Sequence, residues 1–157
     1  MKNLRYKNIL RLLVILLIIS TLAFIFIQSM LPPEKSSEQS SAVGEIIEEI
    51  IPPETPVGGY VQTNIRKIAH FVEFAALGAE VAVFVILFLR RRNLVFLSFG
   101  FGILIALLDE TIQIFSKRGP EITDDWLDFF GFASFAVIVY TVSALIFYIQ
   151  VKRKQKF

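Results

Sequence analysis

Apolar residues in this chain fall into long uninterrupted blocks, not the alternating stripes of a water-soluble fold. Ile9–Leu31, Ile68–Leu89, Leu94–Phe115 and Trp126–Val151 each run for roughly 20 residues, the length a helix needs to cross the hydrocarbon core of a bilayer. The pattern predicts an all-α integral membrane protein, a four-helix bundle formed by a single domain over residues 1–157. Between the first two spans lies the one long loop, residues 32–64. Its start, "PPEKSSEQSS", is rich in Pro, Ser and Glu and reads as mobile chain. Further on, Val43, Ile46, Ile47, Ile50 and Ile51 recur at helical spacing opposite Glu45, Glu48 and Glu49. That pattern predicts a short amphipathic helix lying on the membrane surface or capping the bundle. Pro52-Pro53 should end it, and Pro56-Val57-Gly58-Gly59 reads as a flexible turn into the second span.

Composition sharpens this picture. The chain is 55% hydrophobic with a mean hydropathy of +0.64 and contains no cysteine, so disulfides and cysteine-ligated metals are excluded. The net charge of +2 conceals an asymmetry. Lys2, Arg5, Lys7 and Arg11 precede the first span, Arg90, Arg91 and Arg92 separate the second and third, and Lys152, Arg153, Lys154 and Lys156 follow the fourth. The loop between the first two spans instead carries Glu34, Glu38, Glu45, Glu48, Glu49 and Glu54. The positive-inside rule puts both termini in the cytoplasm and the acidic loop outside. Basic residues placed this way orient a membrane protein and give no argument for nucleic-acid binding. The first span exceeds the apolar length of a cleaved signal peptide and is expected to stay as a signal-anchor helix.

Polar residues inside the spans carry the chemistry. Arg66, His70 and Glu73 follow one another at i, i+4 and i+7 and share a helical face, with Lys67 three residues from His70. Glu80 continues that stripe about 10 Å deeper. Asp109, Glu110 and Gln113 lie near the end of the third span, Asp109 and Gln113 one turn apart. Asp124 and Asp128, also one turn apart, open the fourth span, with Thr123 as a candidate N-cap. Gln28 and Ser29 close the first span at the same level. Ionisable groups in hydrocarbon are costly and mark functional sites by default. The competing explanation is structural: Arg66–Glu110 or Arg118–Asp109 pairs would neutralise each other and tie the helices together, and His70 would be an interhelical hydrogen-bonding residue. Lys117, Glu121 and Asp125 read as a solvated rim. Gly78, Gly100, Gly102 and Gly131 are expected to let helices approach closely. Phe84, Phe88, Phe96, Phe99 and Phe147 are expected to face lipid, and Tyr60 and Trp126 to anchor the interface.

The pattern RKxxHFxEFxxLG at 66–78, DExxQxF at 109–115, Arg118, and DxxxDxxG at 124–131 resembles the VanZ-like membrane-protein family. The resemblance implies a small polytopic envelope protein related to one that raises tolerance to the glycopeptide teicoplanin. Arg66, Lys67, His70, Glu73, Asp109, Glu110, Gln113, Arg118 and Asp124 match the family's polar positions. Asp128 stands where many relatives have Asn, and Phe135 replaces a second glycine one turn after Gly131.

Three functions fit these residues. In the first, the site recognises or processes a lipid-linked anionic head group of the polyprenyl-phosphate type. Arg66, Lys67 and Arg118 could clamp phosphate, with Gln113, Asp124, Asp128, Gln28 and Ser29 as further binding residues. His70, Glu73, Asp109 and Glu110 are the candidate acid–base groups, His70 because its unperturbed pKa lies near neutrality. Glu73, Asp109, Glu110 and Asp124 could hold a divalent cation, Mg²⁺ or Mn²⁺, as cofactor. Ser29 is the only hydroxyl at that depth, and no nucleophile motif is present. In the second, the protein binds and shields a cell-wall precursor or an antibiotic's target without turnover. The third is proton-coupled transport through Glu80, Glu73 and His70, which four spans without repeat symmetry make the weakest. The partners in every case are the bilayer and an anionic lipid-linked or antibiotic-related ligand.

Overall fold

The computed structural model describes residues 2–89, 93–116 and 122–155, without the side chains of 2–4, 93 and 122–125. Expectations for Arg90–Arg92, Lys117, Arg118, Glu121 and Lys156, and for the side chains of Thr123, Asp124 and Asp125, lie outside the described residues. Among those described, every element is helical. Helix α1 spans Lys2–Met30, α2 Pro33–Glu48, α3 Pro56–Phe84 with a π-helical turn at Val85–Leu89, α4 Asn93–Phe115, and α5 Ile122–Lys154. The stretches Arg5–Met30, Pro56–Leu89, Leu94–Phe115 and Trp126–Lys154 are long and apolar enough to cross a membrane.

Two elements differ from what the sequence suggests. The Pro/Ser/Glu stretch is helical, because α2 begins at Pro33, with Pro at its first position, where a missing N–H is no loss. Ser40 Oγ donates to the Ser36 carbonyl at 2.9 Å, and Gln62 Nε2 of α3 donates to the Gly44 carbonyl at 2.9 Å, which pins α2 to α3. Ile50 and Ile51 fall beyond its end, and Ile46 stays 64% exposed while Ile47 turns inward. The second difference is at Pro56-Val57-Gly58-Gly59, which starts a helix instead of forming a turn. Thr55 caps it, its Oγ1 accepting from Gly58 N at 3.0 Å. A Cβ at Gly58 would overlap the Pro52 carbonyl, so the glycine admits that close approach. The α3 helix kinks at Asn64 (φ −119°, ψ 15°), where the Asn64 side-chain amide donates to the Tyr60 carbonyl at 2.9 Å. The kink sets apart the segment that begins with Arg66.

The most extensive packing is between α3 and α5. It rests on two glycines: a Cβ at Gly78 would overlap the Phe132 carbonyl, and one at Gly131 would overlap the Phe71 carbonyl. Without side chains there, the backbones meet, as small residues permit in membrane bundles. Gly102 likewise receives the Phe132 ring, whereas Gly100 has nothing near it and takes no part in packing. Phe135 is 43% exposed, so the missing second glycine does not face the partner helices. Ile25, Phe74, Leu77, Ala82, Ile105, Ala106, Phe132 and Ala136 form the apolar core. Phe96 and Phe147 are exposed, but Phe99 packs against that core and beside Tyr140, with ring centroids 6.4 Å apart. The expectation that Phe99 faces lipid is therefore corrected.

Candidate functional site

Above the apolar core, the four long helices each bring a polar group to one place. Ser29 closes α1, Arg66 and His70 follow the kink of α3, Asp109 and Gln113 sit in the last two turns of α4, and Asp128 lies in the second turn of α5. Ser29, His70, Asp109, Gln113 and Asp128 are all buried, Asp109 completely. Such burial demands hydrogen-bond partners. The Ser29 hydroxyl donates to Asp109 Oδ1 in a short hydrogen bond and also reaches the Ile25 carbonyl. Gln113 Nε2 donates to Asp109 Oδ2 at 2.7 Å, and Arg66 Nη2 donates to Gln113 Oε1 at 3.3 Å. One line of hydrogen bonds thus runs from α1 through α4 to α3.

His70 stands between two carboxylates. Its Nδ1 lies 3.7 Å from Asp109 Oδ2 and 4.0 Å from Asp128 Oδ1. One donor atom each from His70, Asp109 and Asp128 fall within 4.8 Å of one another, making these three a group able to hold a metal ion. Of the sequence-derived set of Glu73, Asp109, Glu110 and Asp124, Asp109 belongs to that group, while the side chain of Asp124 lies outside the described residues. Glu73, one turn beyond His70, turns its side chain toward a cavity instead. Glu110 is half-buried, about 100° around α4 from Asp109. The structure also pairs Arg66 with Gln113 where the sequence suggested a pair with Glu110.

The cavity, of about 520 Å³, lies between α1, α2 and α3. Arg66, His70 and Glu73 form its polar wall, as their spacing predicts, and Gln28 joins them from α1. Most of the remaining lining is apolar, including Phe24, Val43, Ile47, Val61, Ile65 and Ile68. Glu73 Oε2 is buried and has no hydrogen-bond partner among the described residues. A second void of about 10 Å³, the size of one water molecule, is lined by Arg66, Lys67, His70, Gln113, Leu127 and Asp128.

Sequence reasoning missed two features. The α2 face formed by Ser36, Gln39, Ser40, Val43 and Ile47 lines the cavity. The helical spacing of these residues was available as a signal, masked by the composition of its first half. Glu80 was visible, but its partner was not: Thr21 Oγ1 on α1 donates to Glu80 Oε1 at 2.9 Å.

Four membrane-length helices enclosing a buried network of hydrogen bonds and charges define a polytopic membrane protein with a polar centre near one end of its bundle. The chain belongs to the VanZ/LLP1 family, whose model matches residues 13–147. No curated protein and no solved structure matches it.

Proposed function

We propose that this VanZ-like protein serves the cell envelope by recognising or processing an anionic lipid-linked precursor of the polyprenyl-phosphate type. The observation that carries this reading is the cavity of about 520 Å³, apolar over most of its lining and edged by Arg66, His70 and Glu73. An amphiphile has that distribution of chemistry. A phosphate would take a forked hydrogen bond from Arg66, with Lys67 and Arg118 adding positive charge. An isoprenoid chain would lie against Phe24, Ile65 and Ile68. In this reading His70 moves the proton, Asp109 and Asp128 orient the imidazole, and Glu73 meets donors on the head group. Glu110 and Asp124 would supply further acidic groups in this reading.

The basic residues at both ends and between the second and third spans support an N-in, C-in multi-pass arrangement in the cell membrane. The site then faces outward, where glycopeptides such as teicoplanin act, and tolerance to them is part of this proposal. Binding and shielding without turnover is the second reading. The Ser29 hydroxyl favours it, since that group is committed to Asp109 and Ile25 and no other nucleophile stands beside His70 among the described residues. Proton-coupled transport has the least support, because Glu80 is engaged by Thr21 and no polar chain links it to His70 among the described residues.

The test is head-group release from a panel of polyprenyl-phosphate and polyprenyl-diphosphate sugars by the purified protein, beside equilibrium binding of the same lipids. Release lost in His70→Ala and Asp109→Asn supports an enzyme. Saturable binding that weakens in Arg66→Ala without any release supports shielding. Neither release nor binding refutes both.

A further inference from the structure

We infer that His70, Asp109 and Asp128 form a binding site for one first-row divalent metal ion, of the Mn²⁺ or Zn²⁺ type, open on the side of the large cavity. The inference goes beyond the lipid reading and does not depend on it.

The argument begins with position. His70 comes from α3, Asp109 from α4 and Asp128 from α5, so three separate helices converge with one nitrogen and two oxygens within 4.8 Å. All three side chains are buried. This is a compact set on rigid elements, unlike an acidic patch on a surface. An ion about 2.1 Å from each donor would hold them about 3.4 Å apart in a tetrahedron. The 3.7 Å and 4.0 Å separations from His70 are several tenths of an ångström above that spacing, and the Asp109–Asp128 pair, within 4.8 Å, would close by up to about 1.4 Å through rotamer adjustment.

A second, independent observation concerns Asp109. Metal-bound carboxylates are held in turn by outer hydrogen bonds that fix their orientation. Asp109 is held in this way, with the Ser29 hydroxyl on Oδ1 and the Gln113 amide on Oδ2. Each carboxylate oxygen carries two lone pairs, so Oδ2 can accept from Gln113 and still ligate. The void of about 10 Å³ beside His70 and Asp128 gives room for a single water. His70 also lines the large cavity, so positions left by three protein ligands open toward ligand-sized space, as exchangeable sites do.

The donor set selects among ions. Ca²⁺ takes six to eight oxygens, and Mg²⁺ prefers oxygen donors and keeps several waters. An imidazole among three donors suits Mn²⁺ or Zn²⁺ better. A divalent ion would place two positive charges beside the two buried carboxylates. Arg66 is bonded to Gln113 and Lys67 lines the small void. These two cations provide the rival explanation, a metal-free charge balance.

The test uses the full-length protein purified in detergent and stripped with chelator. It is titrated calorimetrically with Mn²⁺, Zn²⁺, Mg²⁺ and Ca²⁺, and bound Mn²⁺ is examined by pulsed electron spin-echo spectroscopy for coupling to nitrogen. The inference requires one Mn²⁺ or Zn²⁺ per chain, at least tenfold tighter than Mg²⁺ or Ca²⁺, with imidazole nitrogen coupling. His70→Gln should abolish that coupling, and Asp128→Asn should weaken binding at least tenfold. Glu80→Gln should leave affinity unchanged. Thermal unfolding of the metal-free variants separates loss of a ligand from loss of fold. If a variant does not fold, the nitrogen coupling in the unaltered protein decides. Absence of saturable binding, binding without nitrogen coupling, or equal affinity in folded His70→Gln and Asp128→Asn overturns the site. Metal binding without any lipid binding would keep it and remove the lipid reading.

Discussion

Replacing Gly131 with alanine tests whether the polar centre depends on the α3–α5 contact. An ideal Cβ on Gly131 would sit 2.5 Å from the Phe71 carbonyl oxygen and 3.3 Å from two further backbone atoms of Phe71. Ordinary contact begins near 3.4 Å, so the helices must part by roughly 1 Å. Backbone cannot swing aside as a side chain can. Overpacking of this kind costs about 1–3 kcal/mol, and the better helix propensity of alanine returns at most about 1 kcal/mol. With the full propensity gain the net expectation is a loss of about 0–2 kcal/mol. Gly131 is one turn from Asp128 and Phe71 is next to His70, so the same movement widens the 4.0 Å His70–Asp128 separation. Reversible unfolding in mixed micelles with increasing SDS, followed by far-ultraviolet circular dichroism, measures the stability. Gly100→Ala is the control, since nothing lies within 4 Å of that position, and it should be neutral or slightly stabilising. If the two variants unfold alike, the close approach at Gly131 does not set the helix spacing and the reasoning fails.

Three further expectations follow from single contacts. Ser29→Ala removes a donor from a fully buried carboxylate and should destabilise by about 1.5–3 kcal/mol in the same unfolding assay, while Ser29→Thr keeps the hydroxyl and should retain most of the stability. Gln62→Ala frees α2 from α3 by deleting the bond to the Gly44 carbonyl. Amide hydrogen exchange should then speed up across residues 33–48 while α4 stays protected, and unchanged exchange in α2 would count against the tether. Glu80→Gln preserves the Thr21 bond and should leave lipid binding or head-group release within about twofold of the original, a change under about 0.5 kcal/mol. Loss of activity there would revive the transport reading.

The four spans were legible because a bilayer imposes a length on any helix that crosses it, and the apolar blocks carry that length directly. One-turn spacings were legible for the same geometric reason. Arg66, His70 and Glu73 share a cavity wall, and Asp109 and Gln113 meet each other. Rotation of one helix against another was not legible. Nothing in the sequence says which of Asp109 and Glu110, or of Glu73 and Asp128, turns toward His70, since lipid-facing and partner-facing surfaces are equally apolar. Helix α2 was hidden for a different reason. Its first half is polar, and what holds it helical is tertiary: the proline at its start, the Gln62 tether and the close fit of Gly44 against Gln62 and Ile65. The early start of α3 was obscured because Gly58-Gly59 resembles a turn, whereas the cap at Thr55 and the Pro52 carbonyl against Gly58 are contacts made only on folding.

Packing and chemistry in this protein rest on the same few residues. Apolar helices in lipid gain little from meeting one another, since lipid tails are as apolar as their own side chains, and small-residue contacts favour closeness more than a particular vertical position. A slip of one helix by a turn, about 5.4 Å, would leave Gly78 and Gly131 near other backbone, but a slip of α4 would break the Ser29–Asp109 and Arg66–Gln113 bonds that join it to α1 and α3. The network from Ser29 through Asp109 and Gln113 to Arg66 therefore supplies the register that the apolar surfaces lack, a role for which buried polar groups are well suited. Loss of activity in an Asp109 variant consequently has two physical origins, a misplaced helix or a missing carboxylate. A double-mutant cycle of Ser29→Ala with Gln113→Ala separates them. If Asp109 is chiefly a register pin, the two losses couple by more than about 0.5 kcal/mol in unfolding, and activity falls in step with stability. If Asp109 also acts in the site, activity falls further than the fraction of folded protein does, and the excess measures the chemistry.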